Sequence, residues 1–535
     1  MRSRLPTALA AAVFFFFLSS MTPLGIRGVY AAGDTPPGPD RFALVTQNYT
    51  LYHWWLTDWD TNKVACSVEV DHAGLPKGGE IFDACGQTVF DKWIQTKTCD
   101  QPGECSGFYL QLVRSEPATR RVSVALPPPV VWVSLQGCTP VNSTFRCDQL
   151  PTLVLTAEEP VDGQHIIRLG GTLNNKSFSC DPVCQVDLVP TGDNGLSISF
   201  WAFSSYGDSS IAFDARVRVI PQDDASGHFW YTDVLSTQWR GVPLASGSMT
   251  WDAFPPVGGP PTWLSTPLRA AELASNIPYA YLTAHLIKSG VADVSNCADG
   301  GLLPDGSASP CGLDVARPWV RDWQNRFDDL IYSIAQSSGI SAELLKNIFA
   351  RESQFWPGVS EDQPEAGLGQ MTQGGADTTL LWNRPFYEQF CPSVLDDAIC
   401  QKGYTHLQEK QQQALDDALV KSVDAFCAEC PLGIDLDRAE NSVYIFAQTL
   451  LANSEQAGRI IYNSYGVLPG AAAGYEDLWK FTLVNYNAGS GCLTLAIRSI
   501  QGAGESLTWE NLSNHFTPVC QPTVKYVNGM SSEPP

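Results

Sequence analysis

The chain has 535 residues, 44% of them hydrophobic and 17% charged, which exceeds what one hydrophobic core can organise and excludes a largely disordered polymer. Its formal net charge of −23 repels polyanions at long range, so nucleic acid is excluded as an expected partner. The negative charge otherwise favours solubility and does not indicate a substrate.

The first residues have the pattern of a secretory signal peptide. Arg2 and Arg4 precede the apolar run LPTALAAAVFFFFL, and VYAAG offers small residues for cleavage after Ala31 or Ala32. We expect residues 1–31 to be a signal peptide that directs the protein to a secreted or extracytoplasmic, cell-envelope location. The alternative is an uncleaved membrane anchor, because the apolar run is near the lower length limit for spanning a bilayer.

Sixteen cysteines agree with export to an oxidising compartment. Several stand in close pairs, namely Cys180/Cys184, Cys297/Cys311, Cys391/Cys400 and Cys427/Cys430. The seven histidines show no H-x-H or H-E-x-x-H spacing, so the Cys427-x-x-Cys430 pair is interpreted as a disulfide and not as a zinc or redox site. The sequence predicts disulfides of undetermined connectivity, with no metal and no cofactor.

Residues 34–115 predict a small, mixed, cysteine-containing module. It begins with the aromatic-rich TQNYTLYHWWLTDWD and continues into GGEIFDACGQTVFDKWIQT, which has helical spacing. Trp54, Trp55 and Trp59 could stack on sugar rings. Aromatic residues in a small domain usually form its core, so a core role is the expectation for all three.

The hydrophobic period changes to two over residues 116–222. Short β-branched or aromatic runs are separated there by turn residues: RRVSVALP, VVWVSL, TLVLTAEEP, HIIRLGGTL, LSISFWAFSS and FDARVRVI. In LSISF, Leu196, Ile198 and Phe200 are expected to face one side. The pattern predicts an all-β, immunoglobulin-like sandwich that serves as a spacer or binds a cell-surface or wall ligand.

Residues 223–316 predict a connector that is rich in proline and glycine, as in FPPVGGPPTWLSTP. RAAELASNIPYAYLTAHLIKSG is its expected helix, in which His285 stands among apolar residues and is expected to be structural. The loop that follows is expected to close on itself through Cys297 and Cys311.

Beyond Ala316 the chain is predicted to be helical. WVRDWQNRFDDLIYSIAQSSG predicts one helix that ends at Gly339, and Ser341 is expected to cap the next helix. Amphipathic stretches continue to the C-terminal region.

A glutamate continues the apolar stripe of the helix that Ser341 opens. Glu352 lies four residues after Ile348 and three after Phe349, so its carboxyl shares their face. A carboxyl in apolar surroundings loses hydration, which raises its pKa and suits it to protonate a glycosidic oxygen. From periodicity alone, the alternative is a glutamate at a fraying helix end that turns into solvent.

Three segments in order, GISAELLKNIFARESQF, AGLGQMT and LVNYNAGSG, resemble the signature segments of the lytic transglycosylases of the soluble (SLT) type. The terminal PTVKYVNGM weakly resembles the closing helix of that family. The resemblance covers residues 317–530 and implies a mainly α, lysozyme-like domain that cleaves the glycan strands of peptidoglycan.

The resemblance also implies the roles of individual residues. Glu352 would be the single catalytic acid/base, protonating the oxygen between N-acetylmuramic acid and N-acetylglucosamine. It would then activate the muramyl C6 hydroxyl, which leaves a 1,6-anhydro end and makes a second carboxylate unnecessary. The implied substrate-binding residues are Ser353, Gly367, Leu368, Gln370, Tyr486 and Asn487. Gly489 would allow the tight turn that follows.

The chain departs from the family pattern at several places. Gly369 stands where many members have methionine, and Asn485 replaces a common alanine. The segment between Thr372 and Tyr486 is long and contains four cysteines, which predicts added helices that reshape one wall of the groove. Exo or endo cleavage therefore stays open.

Two other functions are open. Goose-type lysozymes share the implied architecture but deliver water, which Glu361, Asp362 and Glu365 could position, although a solvated acidic loop is the simpler interpretation. The other is a non-catalytic protein that binds the cell wall through a decayed catalytic fold. Chemically competent residues at the matched positions argue against decay.

Overall fold

The computed structural model describes residues 36–97, 105–141, 143–174, 176–225, 227–240, 251–358, 365–430 and 432–532. The expected signal peptide lies outside the described residues, as do Glu361 and Asp362. Within the described part, no helix is both long and apolar enough to cross a bilayer.

The N-terminal half is built of antiparallel strands. In chain order they are β1 (Phe42–Asp58), β2 (Val64–Val70), β3 (Phe108–Ala125), β4 (Val130–Val141), β5 (Thr144–Glu158), β6 (Ile166–Leu173), β7 (Lys176–Cys180), β8 (Val183–Asp187), β9 (Leu196–Ser204), β10 (Phe213–Asp224) and β11 (Gly227–Leu235). The first three form a sheet in the order β2-β1-β3. The others follow the order β4-β5-β11-β10-β9-β6-β7, and β8 pairs with β5.

The rest of the described chain is mainly helical. The helices are α1 (Gly78–Ile94), α2 (Ala280–Lys288), α3 (Pro310–Val315), α4 (Arg317–Gln324), α5 (Asp328–Ser338), α6 (Ala342–Glu352), α7 (Gln373–Trp382), α8 (Arg384–Phe390), α9 (Asp397–Cys400), α10 (Glu409–Val423), α11 (Leu436–Tyr465), α12 (Pro469–Ala472), α13 (Tyr475–Ala503), α14 (Trp509–Ser513) and α15 (Pro522–Ser531). All except α1 follow the strands in the chain.

The small module packs α1 on one face of the three-stranded sheet. Because side chains alternate along a strand, Trp54 and Leu56 of β1 point into the core that Ile81 of α1 completes. Trp55 and Trp59 are instead 40% and 39% exposed. The expected core role therefore holds for Trp54 alone of the three tryptophans.

The predicted boundary at residue 115 falls inside a strand. β3 continues to Ala125 and pairs with β1 from Asp58↔Phe108 to Phe42↔Ala125. The run RRVSVA consequently belongs to the N-terminal sheet, and β4 is the first strand of the second region. Alternation reveals that a segment is a strand but not which strand it pairs with, so the pattern could not locate this boundary.

The second region is sandwich-like. The long strand β5 pairs with β11 through its first residues and with β8 through its last ones. Leu196, Ile198 and Phe200 are buried while Ser197 between them is exposed, which confirms the predicted alternation. The last strand, β11, extends the region to Leu235, beyond the predicted end at residue 222.

A buried ion-pair cluster ties the start of the described chain to this region. Arg41 Nη1 lies 2.6 Å from Glu159 Oε1, and Arg41 Nη2 lies 2.6 Å from Asp208 Oδ1. Nη1 also donates to the Pro127 carbonyl at 3.0 Å. All three charged side chains are almost completely buried.

The expected connector contributes to the core of the helical region. Trp251 packs edge-on against Trp479 of α13, with ring centroids 5.1 Å apart, and its indole donates to the Ser454 carbonyl of α11. The expected helix in this segment is shorter than predicted, because Pro278 cannot donate a backbone hydrogen bond and disfavours helix before it. Only α2 and a 3₁₀ turn over Ala270–Leu273 form.

The single helix predicted before Gly339 is two helices, α4 and α5. Asn325 lies between them, and its side-chain amide donates to the Arg321 and Ser275 carbonyls, which competes with helical hydrogen bonding. Gly339 ends α5 at φ 74°, and the Ser341 hydroxyl accepts from the Leu344 amide at 3.1 Å, as predicted.

The predicted disulfides are present among the described cysteines. The bonded pairs are Cys66–Cys85, Cys138–Cys147, Cys180–Cys184, Cys297–Cys311, Cys391–Cys400, Cys427–Cys430 and Cys492–Cys520. They include all four close pairs noted in the sequence. Such bonds are typical of proteins in oxidising compartments.

Candidate active site

Helix α6 holds Glu352 at the edge of the helical core. Ile348 and Phe349 are fully buried, and Phe349 packs against Phe446 of α11 with ring centroids 6.0 Å apart. Glu352 is in the last turn and is half-buried. The Glu352 carboxyl therefore lies at the border between core and solvent. The interpretation as a glutamate that turns into solvent from a fraying helix end does not apply.

The Glu352 carboxyl accepts a hydrogen bond from the Tyr526 hydroxyl, whose oxygen is 2.5 Å from Oε1. Burial, the largest influence, raises the pKa of Glu352, and the negative charge of Glu365 raises it further. The Tyr526 hydrogen bond and the positive charge of Arg351 lower it. The net result is a pKa above the ordinary value. Among the described residues, Tyr526 is the hydrogen-bond partner of this carboxyl, so Oε2 is left to carry a proton.

Tyr526 is a site residue that the sequence pattern did not single out. It lies on α15, within the segment PTVKYVNGM, and is almost fully buried. Burial and the nearby Glu352 carboxylate raise its pKa well above the ordinary value, so the hydroxyl stays a hydrogen-bond donor. The sequence signal that could have indicated Tyr526 was the weak resemblance of this segment to a closing helix.

Tyr486 lies in α13 within electrostatic reach of the same carboxyl. Burial raises its pKa well above the ordinary value, and the charges of Glu352 and Glu365 raise it further. Its hydroxyl donates to the Gly369 carbonyl, which ties α13 to the Ala366–Met371 turn. The next residue, Asn487, is exposed, and Gly489 breaks the helical geometry of α13 at φ 80°.

The glycine of the turn is required by packing. Gly367 has φ 74°, and a Cβ at this position would lie 2.8 Å from the Val423 carbonyl oxygen and 3.2 Å from the Ser442 Cβ. The glycine thus allows a close approach of the turn to α10 and α11. Gln370, at φ 56°, donates from its side chain back to the Gly367 carbonyl and stabilises the turn.

Two of the implied substrate-binding side chains are inside the protein. Leu368 is fully buried, and Ser353 is nearly so, with its hydroxyl donating to the Phe349 carbonyl at 3.1 Å. They support the turn and the end of α6. The other implied contacts, Gln370, Tyr486 and Asn487, retain exposed surface.

Gly369 is matched to a neighbouring aromatic ring. A Cβ at residue 369 would lie 2.5 Å from Cδ1 of Phe446. Phe446 therefore fills the volume that a side chain at this position would need, which gives glycine at residue 369 a packing reason.

The long segment after Thr372 contains helices α7 to α10 and two disulfides. The Tyr404 hydroxyl joins them, lying 2.8 Å from Asp377 Oδ1 and 2.8 Å from Asp416 Oδ1. Burial raises the pKa of Asp416 to about 6. The Tyr404 hydrogen bond lowers this pKa, and the negative charges of Asp377 and Asp417 raise it. Val423 at the end of α10 lies against Gly367, so these helices contact the turn.

His285 is structural, as expected. Its ring stacks on Trp356 with centroids 4.8 Å apart, and burial, with the charge of Lys288, lowers its pKa to about 4. A neutral, stacked imidazole at this position completes the aromatic packing beneath the end of α6.

The assembled site contains one half-buried carboxyl of raised pKa, a tyrosine that orients it and a second tyrosine nearby, which is suited to general acid catalysis. No protein-family model, curated protein or solved structure matches the chain.

Proposed function

We propose that the protein is a peptidoglycan lytic transglycosylase that cleaves the β-1,4 bond between N-acetylmuramic acid and N-acetylglucosamine. The observation that carries the proposal is the Glu352 carboxyl, which has a raised pKa and accepts from Tyr526 through Oε1. A lysozyme-like class for the helical region and an immunoglobulin-like class for the sandwich belong to the same proposal. So does export to the cell envelope through the N-terminal signal, which the disulfides support.

In this mechanism Glu352 donates its proton from Oε2 to the bridging oxygen as the C1–O bond breaks. The resulting carboxylate then removes the proton of the muramyl C6 hydroxyl, whose oxygen bonds to C1 and closes the anhydro ring. Tyr526 holds Oε1 throughout, so the carboxyl keeps one orientation while it acts first as acid and then as base.

Glu352→Gln is expected to abolish cleavage, because the amide is nearly isosteric but cannot donate and then accept the proton. Purified peptidoglycan is digested with both proteins, and the products are analysed by mass spectrometry. We expect 1,6-anhydro-muropeptides from the wild type alone. Glu440→Gln, which changes an exposed glutamate of α11, is the matched control and should cleave normally. Absence of products from the wild type would support a wall-binding protein instead.

A hydrolase of the goose-type lysozyme kind is the second candidate, because Glu365 is close enough to raise the pKa of Glu352 and could activate a water. Under the transglycosylase mechanism Glu365 has only an electrostatic effect. Glu365→Gln should then retain activity and anhydro products. In the pH–rate profile of this variant, the fall in activity at basic pH should move to lower pH, since removal of a negative charge lowers the pKa of Glu352. Reducing product ends in the wild type, with inactivity of Glu365→Gln, would establish the hydrolase.

A further inference from the structure

A depression of about 680 Å³ lies on the outer side of α15, beside the end of α6. Arg351 and Lys525 contribute cationic groups to it and Asn528 contributes an amide, and none of the described residues that line it is acidic. The chain as a whole has a net charge of −23. A local cationic surface in so acidic a protein is complementary to an anionic group.

The guanidinium of Arg351 is held by packing instead of by a carboxylate. Its Cζ lies 5.4 Å from the centroid of the Tyr526 ring. It also lies against Gly529, where a Cβ would be 2.8 Å from Cζ and 2.9 Å from Nη2. Its contact with the Lys525 carbonyl is long at 3.4 Å, and no acidic residue of the described chain forms an ion pair with it. The guanidinium is therefore oriented, and no carboxylate of the described chain occupies the N–H groups that the Lys525 carbonyl leaves open.

Tyr526 joins this depression to the candidate active site. Its hydroxyl donates to Glu352, and the face of its ring lies beneath Arg351. The Tyr526 ring thus separates a group bound at Arg351 from the Glu352 carboxyl, which would protonate the scissile bond.

We infer that the depression binds a carboxylate of the peptide branch on the substrate glycan, with Arg351 as its main ligand. The inference rests on the proposed function, because the muramyl residues of peptidoglycan carry peptides with free carboxylates. The planar fork of an arginine matches a carboxylate through two parallel hydrogen bonds, and Lys525 adds a second positive charge. Arg351 would therefore determine specificity for glycan that retains its peptides.

Occupation of the depression should also affect the acid. Arg351 lowers the pKa of Glu352 through its charge. A bound carboxylate neutralises that charge, so Glu352 stays protonated to higher pH when peptide-bearing glycan is bound.

The test compares kcat/KM on glycan strands that carry peptides with kcat/KM on strands from which an amidase has removed them. We expect the wild type to prefer the peptide-bearing strands by about tenfold, the value of one charge-assisted contact. Arg351→Gln should bring this ratio close to one. Arg384→Gln, which removes an exposed arginine of α8, is the matched control and should keep the wild-type ratio.

Gly529→Ala tests the site without removing a charge. The three atoms nearest the new Cβ all belong to the flexible end of Arg351, so the variant should fold. Its unfolding temperature should rise slightly, because alanine favours a helix more than glycine does. The displaced guanidinium should lower the preference for peptide-bearing strands as Arg351→Gln does. An unchanged ratio in both variants overturns the inference.

Failure of the proposed function gives a different result. If the wild type cleaves neither substrate, binding of a disaccharide-tripeptide muropeptide is measured by calorimetry with Glu352→Gln and with the Glu352→Gln/Arg351→Gln double variant. A loss of about tenfold in affinity from the second change supports the carboxylate site. Equal affinities overturn it.

Discussion

The protonation of Glu352 depends on opposing influences from its surroundings. Burial and Glu365 favour the neutral acid, whereas Tyr526 and Arg351 favour the carboxylate. A residue that must give up a proton and then take one back needs access to both forms near the working pH. Each neighbour therefore changes the pH dependence of the proposed reaction in a direction that its charge or hydrogen bond determines.

Tyr526→Phe should shift the basic limb of the pH–rate profile to higher pH. The lost hydroxyl no longer stabilises the carboxylate, so the pKa of Glu352 rises and the acid form persists to higher pH. We expect kcat to fall by about tenfold or more, because the carboxyl loses its orientation. Rates on solubilised peptidoglycan across pH measure both effects. A lower kcat with an unmoved basic limb would mean that Tyr526 acts only in packing.

Single residues differ in how far they could be predicted. Glu352 follows from the stripe of Ile348 and Phe349, since neighbours on a helix face are determined by local spacing. Tyr526 follows from no local pattern, because 174 positions separate it from the carboxyl that it contacts. Leu368 illustrates the reverse case: the motif implied substrate contact, but burial of its side chain is a property of tertiary packing.

At the scale of elements, α7, α10 and the 3₁₀ turn Tyr404–His406 meet at one tyrosine. The Tyr404 hydroxyl has a single hydrogen but lies 2.8 Å from oxygens of both Asp377 and Asp416. One of the two close oxygen pairs must therefore take its hydrogen from a protonated carboxyl. The cluster is best satisfied when Asp416 is neutral, in agreement with its raised pKa.

Asp416→Asn should stabilise the protein at pH 7. The folded-state pKa of Asp416, about 6, is above the unfolded value of about 4, so its stabilising contribution is complete below about pH 4 and is lost as the pH rises through 6. Asparagine stays neutral and can donate to Tyr404, which should add roughly 2 kcal/mol to the free energy of unfolding at pH 7 and much less at pH 4. Urea unfolding at the two pH values measures this.

The control for this prediction is Asp417→Asn, which changes the adjacent aspartate. The exposed Asp417 accepts a hydrogen bond from Gln373, and we expect only a small effect on stability at either pH. A variant Asp416→Asn that is less stable than the wild type at pH 7 would contradict the shared-proton account.

The types of these elements were more predictable than their ends. The period-two runs and the Ser341 cap identified strands and helix α6 correctly, because both signals are local. The break between α4 and α5 depends on side-chain hydrogen bonds of Asn325, including one to Ser275 far away in the chain. The length of β3 depends on its pairing with β1. Neither is encoded in a local period.

At the scale of the whole molecule, a single arginine holds the first described residues against the sandwich-like region. Arg41→Ala would leave Glu159 and Asp208 buried without their cation, which should cost about 3–5 kcal/mol of unfolding free energy in that region. Thermal unfolding and chymotrypsin cleavage at Phe42 would both report the loss.

Arg240→Ala is the matched control, since it breaks the Arg240–Glu158 pair, in which both side chains are about half exposed. Its cost should stay below about 1 kcal/mol. Equal costs for the two variants would show that the buried cluster adds nothing beyond an ordinary surface pair.

The change of hydrophobic period predicted a β region followed by a helical one, and both are present. It did not reveal that Trp251, in the expected connector, packs into the helical core, because that contact joins segments more than two hundred positions apart. Long-range packing depends on complementary side-chain shapes, and the hydrophobic period of a sequence carries no information about them.

The fit between Gly369 and Phe446 couples the two residues in any substitution of this turn. A side chain at residue 369 is incompatible with the present ring, and a smaller residue at 446 alone leaves a cavity. Glycine at residue 369 could therefore be exchanged for methionine only through an unstable single variant or by a paired substitution. Gly369→Met and Phe446→Ala, each harmful alone, should rescue one another when combined.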